Sequence, residues 1–317
     1  MRYLRKFVFC QQVKGSILII FIAILVVLSL LVTACARRLF YELGFLRYEK
    51  EKMKVRYLAK AGINWTIEKL KEDTNNVDYL GEFWVDDRDI FEKKLGDGNF
   101  SVKYKSLEDK EVLFGVYDED RKININKADE NTLFILFNDH EVVKNIRLWR
   151  GDKDLKESLW DSQTMGYPPK KDYFSIPEEL LLVEGVTEEM YKEIKDLITL
   201  WSDKVNINTA SEKVVYVLVK TSAEEVGCDE ETEVRDLVEK IFNFREDRGY
   251  FETIELDKVL ELTTSQVKIV NKLKEKIKVK SRFFHICSFG YLGGGLSYKI
   301  EAVWDKDKDS IVYWNEG

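Results

Sequence analysis

The sequence predicts an α+β fold with a long N-terminal helix, a small antiparallel sheet that forms a head, and an all-α domain inserted between the strands of that head. Three observations support this prediction. An uncharged apolar run continues into a helical stretch, short alternating segments occur near residue 100 and again at the C-terminus, and an internal repeat lies between them. Strands on both sides of a helical block indicate that the block interrupts one sheet.

The first predicted element is a single helix over residues 16–73. It begins with the 22-residue run Gly15–Ala36, which contains no charge and no proline and is long enough to cross a bilayer. Four positive side chains and no acid lie in the first 14 residues, so the N-terminus is expected to be cytoplasmic. Apolar residues then recur at helical spacing as one stripe until the polar run Asp73–Asn76. The stripe comprises Leu39, Leu43, Leu46, Met53, Tyr57, Ala61 and Trp65.

Two groups of predicted strands flank the helical block. In "NFSVKYK", Phe100, Val102 and Tyr104 alternate on one face, and "VLFGVY" follows closely. The C-terminal segment alternates in the same way on both sides of a polar "DKDKDS" turn. These segments predict a head built from residues 74–121 and 281–317.

The inserted domain, residues 122–280, contains an internal repeat. Each unit combines an N-I-N-x-A segment, in which Asn126 or Asn208 is expected to cap or turn the chain, with a helix–turn–helix pair similar to a helix-hairpin-helix module. A small unit that cannot bury its apolar face alone is expected to pack on its copy. The matching segments are Lys122–Phe137 with Lys204–Val219 and Tyr173–Trp201 with Tyr250–Val279.

Composition and motifs argue against two classes of function. The formal net charge of −7 is a poor match for nucleic acid, and Glu188 and Glu189 occupy the helix start where a phosphate would bind. No nucleic-acid partner is therefore expected, although a membrane-anchored helix-hairpin-helix DNA receptor stays open as an alternative. The two histidines, His140 and His285, lie in no catalytic or metal-ligand spacing, so no enzymatic activity is expected.

The N-terminal pattern resembles the type IV pilin class. In that class a prepilin peptidase cuts after a glycine, here Gly15 next to Lys14, and methylates the new N-terminus, here Ser16, so that residues 1–15 are the leader. Most members carry a glutamate at mature position five, where this sequence has Ile20. That substitution, the repeat and the segment "DEDRKININ" (Asp118–Asn126) together resemble the minor pseudopilin K family of type II secretion.

This resemblance implies a non-enzymatic subunit at the tip of a pseudopilus, with one helix in the inner membrane and a periplasmic head. Its partners would be the other minor pseudopilins, of the I and J types, bound along Leu39–Trp65. A minor pilin at the tip of a type IV pilus would use the same parts. Two other fates of the N-terminus stay open, namely lipid attachment at Cys35 after the sequence Leu-Val-Thr-Ala, or an anchor that is never cut.

The resemblance also implies calcium in the head. Asp118 and Asp120 offer hard oxygen ligands beside an asparagine-rich turn, but they do not have EF-hand spacing, and a solvated acidic turn is the competing interpretation. Cys228 and Cys287 lie outside the N-terminal region and could form a disulfide in an oxidising compartment. Four cysteines in total show no disulfide framework and no metal spacing.

Overall fold

The computed structural model describes residues 12–106, 111–155, 166–293 and 295–317. It confirms the α+β class, with a long N-terminal helix, an antiparallel sheet and a set of further helices. The helices are α1 (Gln12–Glu72), α2 (Arg88–Phe91), α3 (Glu130–Phe137), α4 (His140–Arg150), α5 (Glu188–Ile194), α6 (Glu212–Glu225), α7 (Glu231–Arg248) and α8 (Thr264–Leu273). The strands are β1 (Glu92–Leu95), β2 (Gly98–Val102), β3 (Tyr104–Lys105), β4 (Val112–Leu113), β5 (Tyr117–Asp118), β6 (Ile123–Asn124), β7 (Ile198–Thr199), β8 (Val205–Asn206), β9 (Ile277–Lys278), β10 (Phe283–Leu292), β11 (Ser297–Asp305) and β12 (Ser310–Glu316).

Helix α1 is continuous over 61 residues, because its sequence contains no proline to interrupt the backbone hydrogen bonds. Its most apolar window has a mean hydropathy of 3.3 and none of it is buried, so α1 is long and apolar enough to serve as a single-pass anchor. A polar side chain within this apolar part is satisfied inside the helix, since Thr33 Oγ1 donates to the Ser29 carbonyl at 2.8 Å.

Within residues 56–317, the last turns of α1 pack on a six-stranded antiparallel sheet of order β1-β2-β10-β11-β12, with β5 also paired to β10. Successive side chains of each strand point to opposite faces of the sheet. Phe284 and Ile286 of β10 face the apolar cluster formed with α1, and Ser288 follows on the same face, where it meets Gly62. A Cβ atom at Gly62 would lie 2.1 Å from Ser288 Oγ, so the absence of a side chain there permits the close approach of helix and sheet.

The inserted helices surround an apolar core of their own. This core includes Ile125, Ile146 and Val215, whereas the core of the head includes Trp84 and Trp304. None of the described residues belongs to both clusters. Separate cores are expected for a helical domain inserted into a sheet domain. The bounds of 122–280 for that domain stay a prediction.

The internal repeat has a matching structure in both copies. Strands β6 and β7 pair in parallel in the first unit, as β8 and β9 do in the second. The side chain of the second asparagine in each N-I-N-x-A segment makes two hydrogen bonds to the backbone of a phenylalanine that is distant in sequence. Asn126 Nδ2 donates to the Phe174 carbonyl at 3.0 Å and its Oδ1 accepts from Phe174 N at 2.8 Å, and Asn208 makes the same pair of bonds to Phe251 at the same two distances.

The structure does not show a pair of α-helices around the turn in either unit, as a helix-hairpin-helix module would have. In each unit the element before the turn is a short 3₁₀ helix, Pro177–Leu182 or Leu256–Lys258, and only the element after it, α5 or α8, is an α-helix. The first turn contains Gly185 at φ +87°, a conformation that favours glycine, whereas no glycine is present in the second.

Candidate functional site

The exposed length of α1 could carry a function, and so could the junction at which the chain enters and leaves the helical block. Along α1, the predicted stripe residues Leu39, Leu43, Leu46 and Met53 are each more than half exposed. The stripe is broader than predicted, since Phe40, Tyr41, Phe45 and Tyr48 are also exposed. An apolar surface of this extent indicates a site of protein or membrane contact.

The predicted processing residues Lys14, Gly15 and Ser16 fall in the first turns of α1, where the structure describes the backbone only. Residues 1–11 of the leader lie outside the described residues. Ile20, at the position where most pilins carry a glutamate, is 57% exposed. Their roles in processing and assembly stay predictions.

The stripe ends earlier than the sequence suggested. Trp65 is covered in part by the head, because its Nε1 donates to the Ile90 carbonyl at 2.9 Å and Lys69 lies 5.1 Å from its ring centroid. On this part of α1 the apolar face that packs on the sheet carries Ala59, Ile63 and Ile67.

At the junction, three distant parts of the chain meet in the segments around Asp78, Asp118 and Ser281. Asp78 N donates to the Val279 carbonyl at 2.9 Å, and Ser281 N donates to Asp78 Oδ2 at 2.7 Å. Ser281 Oγ in turn donates to Asp118 Oδ2 at 2.5 Å. These hydrogen bonds hold together the chain segments that enter and leave the helical block.

Asp118 is the centre of this junction. Its buried Oδ2 also accepts from Thr209 Oγ1 at 2.6 Å and from Asn206 Nδ2 at 3.2 Å, both in the second repeat unit. Burial raises the pKa of Asp118 to about 6, with the neighbouring Asp120 adding to the effect and the Ser281 and Thr209 hydroxyls opposing it. The first asparagine of the second N-I-N-x-A segment thus joins the repeat to the head.

Asp120 is held by the segment that leaves the helical block and leads into β10. Its Oδ2 accepts from the backbone N–H of Arg282 and from Lys278 Nζ, both at 2.5 Å. Asp118 and Asp120, the predicted calcium ligands, therefore each have a carboxylate oxygen that accepts hydrogen bonds from protein donors. Both side chains are buried, so the competing interpretation of a solvated acidic turn does not hold. Their calcium role stays a prediction, and Asp120 Oδ1 is buried with no hydrogen-bond partner among the described residues.

Glu119 lies between them and is equally buried. Its Oε1 accepts from Lys122 Nζ at 3.1 Å and lies 3.0 Å from His285 Nδ1, and the same nitrogen lies 2.7 Å from the Tyr117 hydroxyl. Burial alone would raise the pKa of Glu119, but Lys122 and His285 outweigh it and lower the pKa to about 2.

We expect Glu119→Gln to lower the free energy of unfolding at pH 7 by about 2 kcal/mol, because a buried charge-assisted hydrogen bond is lost. The native carboxylate has a depressed pKa, so its stabilisation is present above its ordinary pKa of 4.5 and disappears as the pH falls towards 2. Urea unfolding of both proteins between pH 7 and pH 2.5 tests this. A difference that stays constant across that range would contradict the assignment.

An acidic cluster next to the junction was not predicted. Oxygens of Asp73, Asp78 and Glu82 all lie within 4.8 Å of one another, and all three residues are buried. Lys306 Nζ is 3.0 Å from Asp73 Oδ2, and Glu82 accepts from Asn75 Nδ2 at 2.7 Å and Trp84 Nε1 at 2.5 Å. One positive side chain among three carboxylates leaves the cluster negative if all three are ionised.

The cluster fits a hard cation. Asp78 Oδ1 is buried and has no hydrogen-bond partner among the described residues, which is costly for a carboxylate oxygen. Burial raises the pKa of Asp78 to about 7, and the carboxylates of Asp118 and Glu82 add to this. A divalent ion at this point would supply the missing partner and neutralise the charge, so the triad could bind a metal. The signal in the sequence was a concentration of oxygen-bearing side chains where α1 ends, in "EDTNNVDYLGE".

The two cysteines proposed as a pair are free thiols in different parts of the fold. Cys228 packs against the core of the helical block, and Cys287 is buried on β10 of the head. Burial raises the pKa of Cys287 to about 12, so this residue is an inert thiol at neutral pH. Cys35, the residue of the lipid-attachment alternative, lies in α1.

Comparison with known proteins supports the fold. No family model and no curated protein matches the sequence. Among solved structures, a chain in the crystal structure of the GspK-GspI-GspJ complex from the type 2 secretion system of enterotoxigenic Escherichia coli matches with a TM-score of 0.64 and 12% sequence identity. The match covers 86% of this chain and 99% of that one. The chain therefore has the fold of a subunit of this complex, which confirms the predicted resemblance at the level of the fold.

Proposed function

We propose that this chain is a minor pseudopilin of a type II secretion system, which initiates or caps the tip of a pseudopilus. The observation that carries the proposal is the combination of a 61-residue helix, apolar and exposed in its first part, with a head that has the fold of a subunit of the GspK-GspI-GspJ complex. A helix of this kind anchors the subunit in the inner membrane and leaves its head in the periplasm.

In this proposal the prepilin peptidase cuts after Gly15 and the product begins at methylated Ser16. Ile20 then removes the carboxylate with which a pilin ordinarily pairs with the N-terminal amine of a neighbour. Because an unpaired charge in a bilayer is costly, a subunit without that carboxylate has no reason to dock beneath an existing one. The inserted block, proposed as residues 122–280, would widen the head and obstruct a further subunit above it.

The proposed partners are pseudopilins of the I and J types, which pack against the exposed length of α1 between Leu39 and Tyr57. The chain's counterpart in the solved structure is part of a complex named for GspI and GspJ. Parallel helices with apolar faces bury those faces against each other, which offsets the exposure seen in the single chain.

The test is co-purification from a membrane in which all the pseudopilins are expressed. We expect the double variant Leu43→Asn/Leu46→Asn to reduce recovery of the partners roughly 10-fold or more, because each Asn places a polar amide in an apolar helix contact. The matched control is Glu42→Asn/Arg47→Asn, which introduces the same residue type at adjacent positions of the same helix. Equal recovery with both doubles would contradict the proposed contact surface.

The same experiment separates the alternatives. Recovery with the subunits of a type IV pilus would assign the chain to the tip of that fibre. Recovery with no fibre subunit, together with DNA binding, would favour the helix-hairpin-helix receptor. We do not favour the receptor, because the net charge is −7 and the first turn of α5 carries Glu188 and Glu189.

We propose further that the acidic cluster of Asp73, Asp78 and Glu82 binds calcium. Carboxylate oxygens are the ligands that calcium prefers, and additional oxygens or water would complete its shell. At 100 times the dissociation constant, calcium should stabilise the native protein by about 2.7 kcal/mol.

The corresponding prediction is that millimolar calcium raises the thermal unfolding temperature of the wild type and that a chelator reverses the change. Asp78→Asn should remove the response, because it replaces the carboxylate that carries the unsatisfied oxygen. Asp203→Asn, an exposed acidic position far along the chain, should respond as the wild type does. A calcium response that survives Asp78→Asn would place the ion elsewhere.

A further inference from the structure

The outer face of the sheet forms one wall of a groove that none of the preceding functions uses. Strand alternation directs His285, Cys287 and Phe289 of β10 away from α1, and Lys299 and Glu301 of β11 lie on the same face. Strand β3 and the segment after α5, which contains Lys195 and Asp196, complete the groove. Its volume is about 660 Å³, within the range of ligand sites in proteins.

This groove is basic although the protein is acidic. Among the described residues, six cationic side chains and two carboxylates line it, while the whole chain has a formal charge of −7. The cations are Lys103, Lys105, Arg121, Lys122, Lys195 and Lys299, and the carboxylates are Asp196 and Glu301. A concentration of one sign of charge in a concave site attracts ligands of the opposite sign.

Part of that positive charge is already neutralised. Lys122 is paired with Glu119 at 3.1 Å and Lys299 with Glu301 at 2.5 Å. Among the residues that the structure describes, Lys103, Lys105 and Lys195 form no ion pair. The Lys103 ammonium instead lies 5.1 Å from the ring centroid of Phe289 and 5.4 Å from that of Tyr291. The Phe289 ring lines the groove and gives it an aromatic wall.

The shape and chemistry indicate the class of ligand. The groove is much larger than a single phosphate needs. Its three cations that form no ion pair among the described residues are lysines, which act as separate point charges rather than as a fork that grips one anion. Separate point charges along an aromatic wall suit several carboxylates spaced along an extended chain. We infer that this groove binds an acidic segment of a partner protein. The inference does not depend on the proposed place at a pseudopilus tip.

The test measures binding of a fluorescein-labelled oligoglutamate peptide to the full-length protein in a neutral detergent at low salt. We expect saturable binding that weakens as salt is added, and about 5-fold weaker binding to the double variant Lys103→Gln/Lys195→Gln. The matched control Lys94→Gln/Lys268→Gln removes the same charge at exposed positions outside the groove and should bind as the wild type does.

Several results would overturn the inference. Equal weakening by both double variants would show that only net charge attracts the peptide. Competition by inorganic phosphate at the same concentration of charge would show a site for small anions. To separate loss of binding from loss of folding, Lys105→Glu provides a second variant at an exposed position, and it should weaken binding with an unchanged unfolding temperature. Full binding to Lys105→Glu would also contradict the assignment.

Discussion

Asp118→Ala is expected to lower the free energy of unfolding by about 3–5 kcal/mol, the largest loss from any single substitution at the junction. The carboxylate accepts hydrogen bonds from Asn206, Thr209 and Ser281, all of which are buried. Alanine leaves those donors without this acceptor in a site that water does not reach. The first structural effect should be local opening of the junction, because the three donors join the helical block and the segment before β10 to the head.

Urea unfolding and hydrogen exchange together measure this effect. We expect faster exchange at residues 118–124 and 278–283 in the variant, before any change in the core of the helical block. Asp118→Asn retains an acceptor oxygen and should lose less. Asp203→Ala, at a 68% exposed side chain, should change the free energy by less than about 0.5 kcal/mol. If Asp118→Ala unfolds like Asp203→Ala, the junction does not depend on this carboxylate.

Gly62→Leu is expected to lower the free energy of unfolding by about 3 kcal/mol through a clash between α1 and the sheet. The first added atom would lie 2.1 Å from Ser288 Oγ and 3.0 Å from Phe100 Cδ2, and leucine must place three further carbons in the same space. The helix would have to lift from β2 and β10, which would open the core around Trp84 and Trp304.

Gly44→Leu is the matched control in the same helix, because a Cβ at Gly44 has nothing within 4 Å. Leucine is the better helix former, so this control should keep or slightly raise the stability of the helix. Tryptophan fluorescence during urea unfolding includes a signal from the head, where Trp84 and Trp304 are buried, together with that of Trp149 in the helical block. An unchanged midpoint for Gly62→Leu would mean that helix and sheet do not approach as closely as the structure shows.

Much of the fold was predictable because periodicity reports local burial. The uninterrupted run through α1 and the alternation of the strands each reflect a face that is buried or exposed along a single element. The N-I-N-x-A repeat also predicted a structural duplication, and Asn126 and Asn208 do hold equivalent positions. The 3₁₀ helices were not predicted, because six or fewer residues in a turn carry no periodic signal.

The candidate sites were less predictable because they depend on contacts between distant residues. The acidic residues around Asp118 predicted a calcium ligand, which stays a prediction, but they gave no sign that its Oδ2 accepts from Ser281, 163 positions away. The cluster of Asp73, Asp78 and Glu82 lies within ten residues of sequence, but only the fold shows that these side chains are buried together. The basic groove combines lysines from the sheet and from the helical block, and no local pattern could have assembled them.

We propose that the apolar helix is cut at its start and then retained as the packing element of a fibre subunit. Intact mass and N-terminal chemistry of the native protein, extracted from its own membrane, test this most directly. The proposal predicts a chain that begins at N-methylated Ser16 and retains all of α1 beyond that residue. A chain that begins at acylated Cys35, or one that retains Met1, would contradict it.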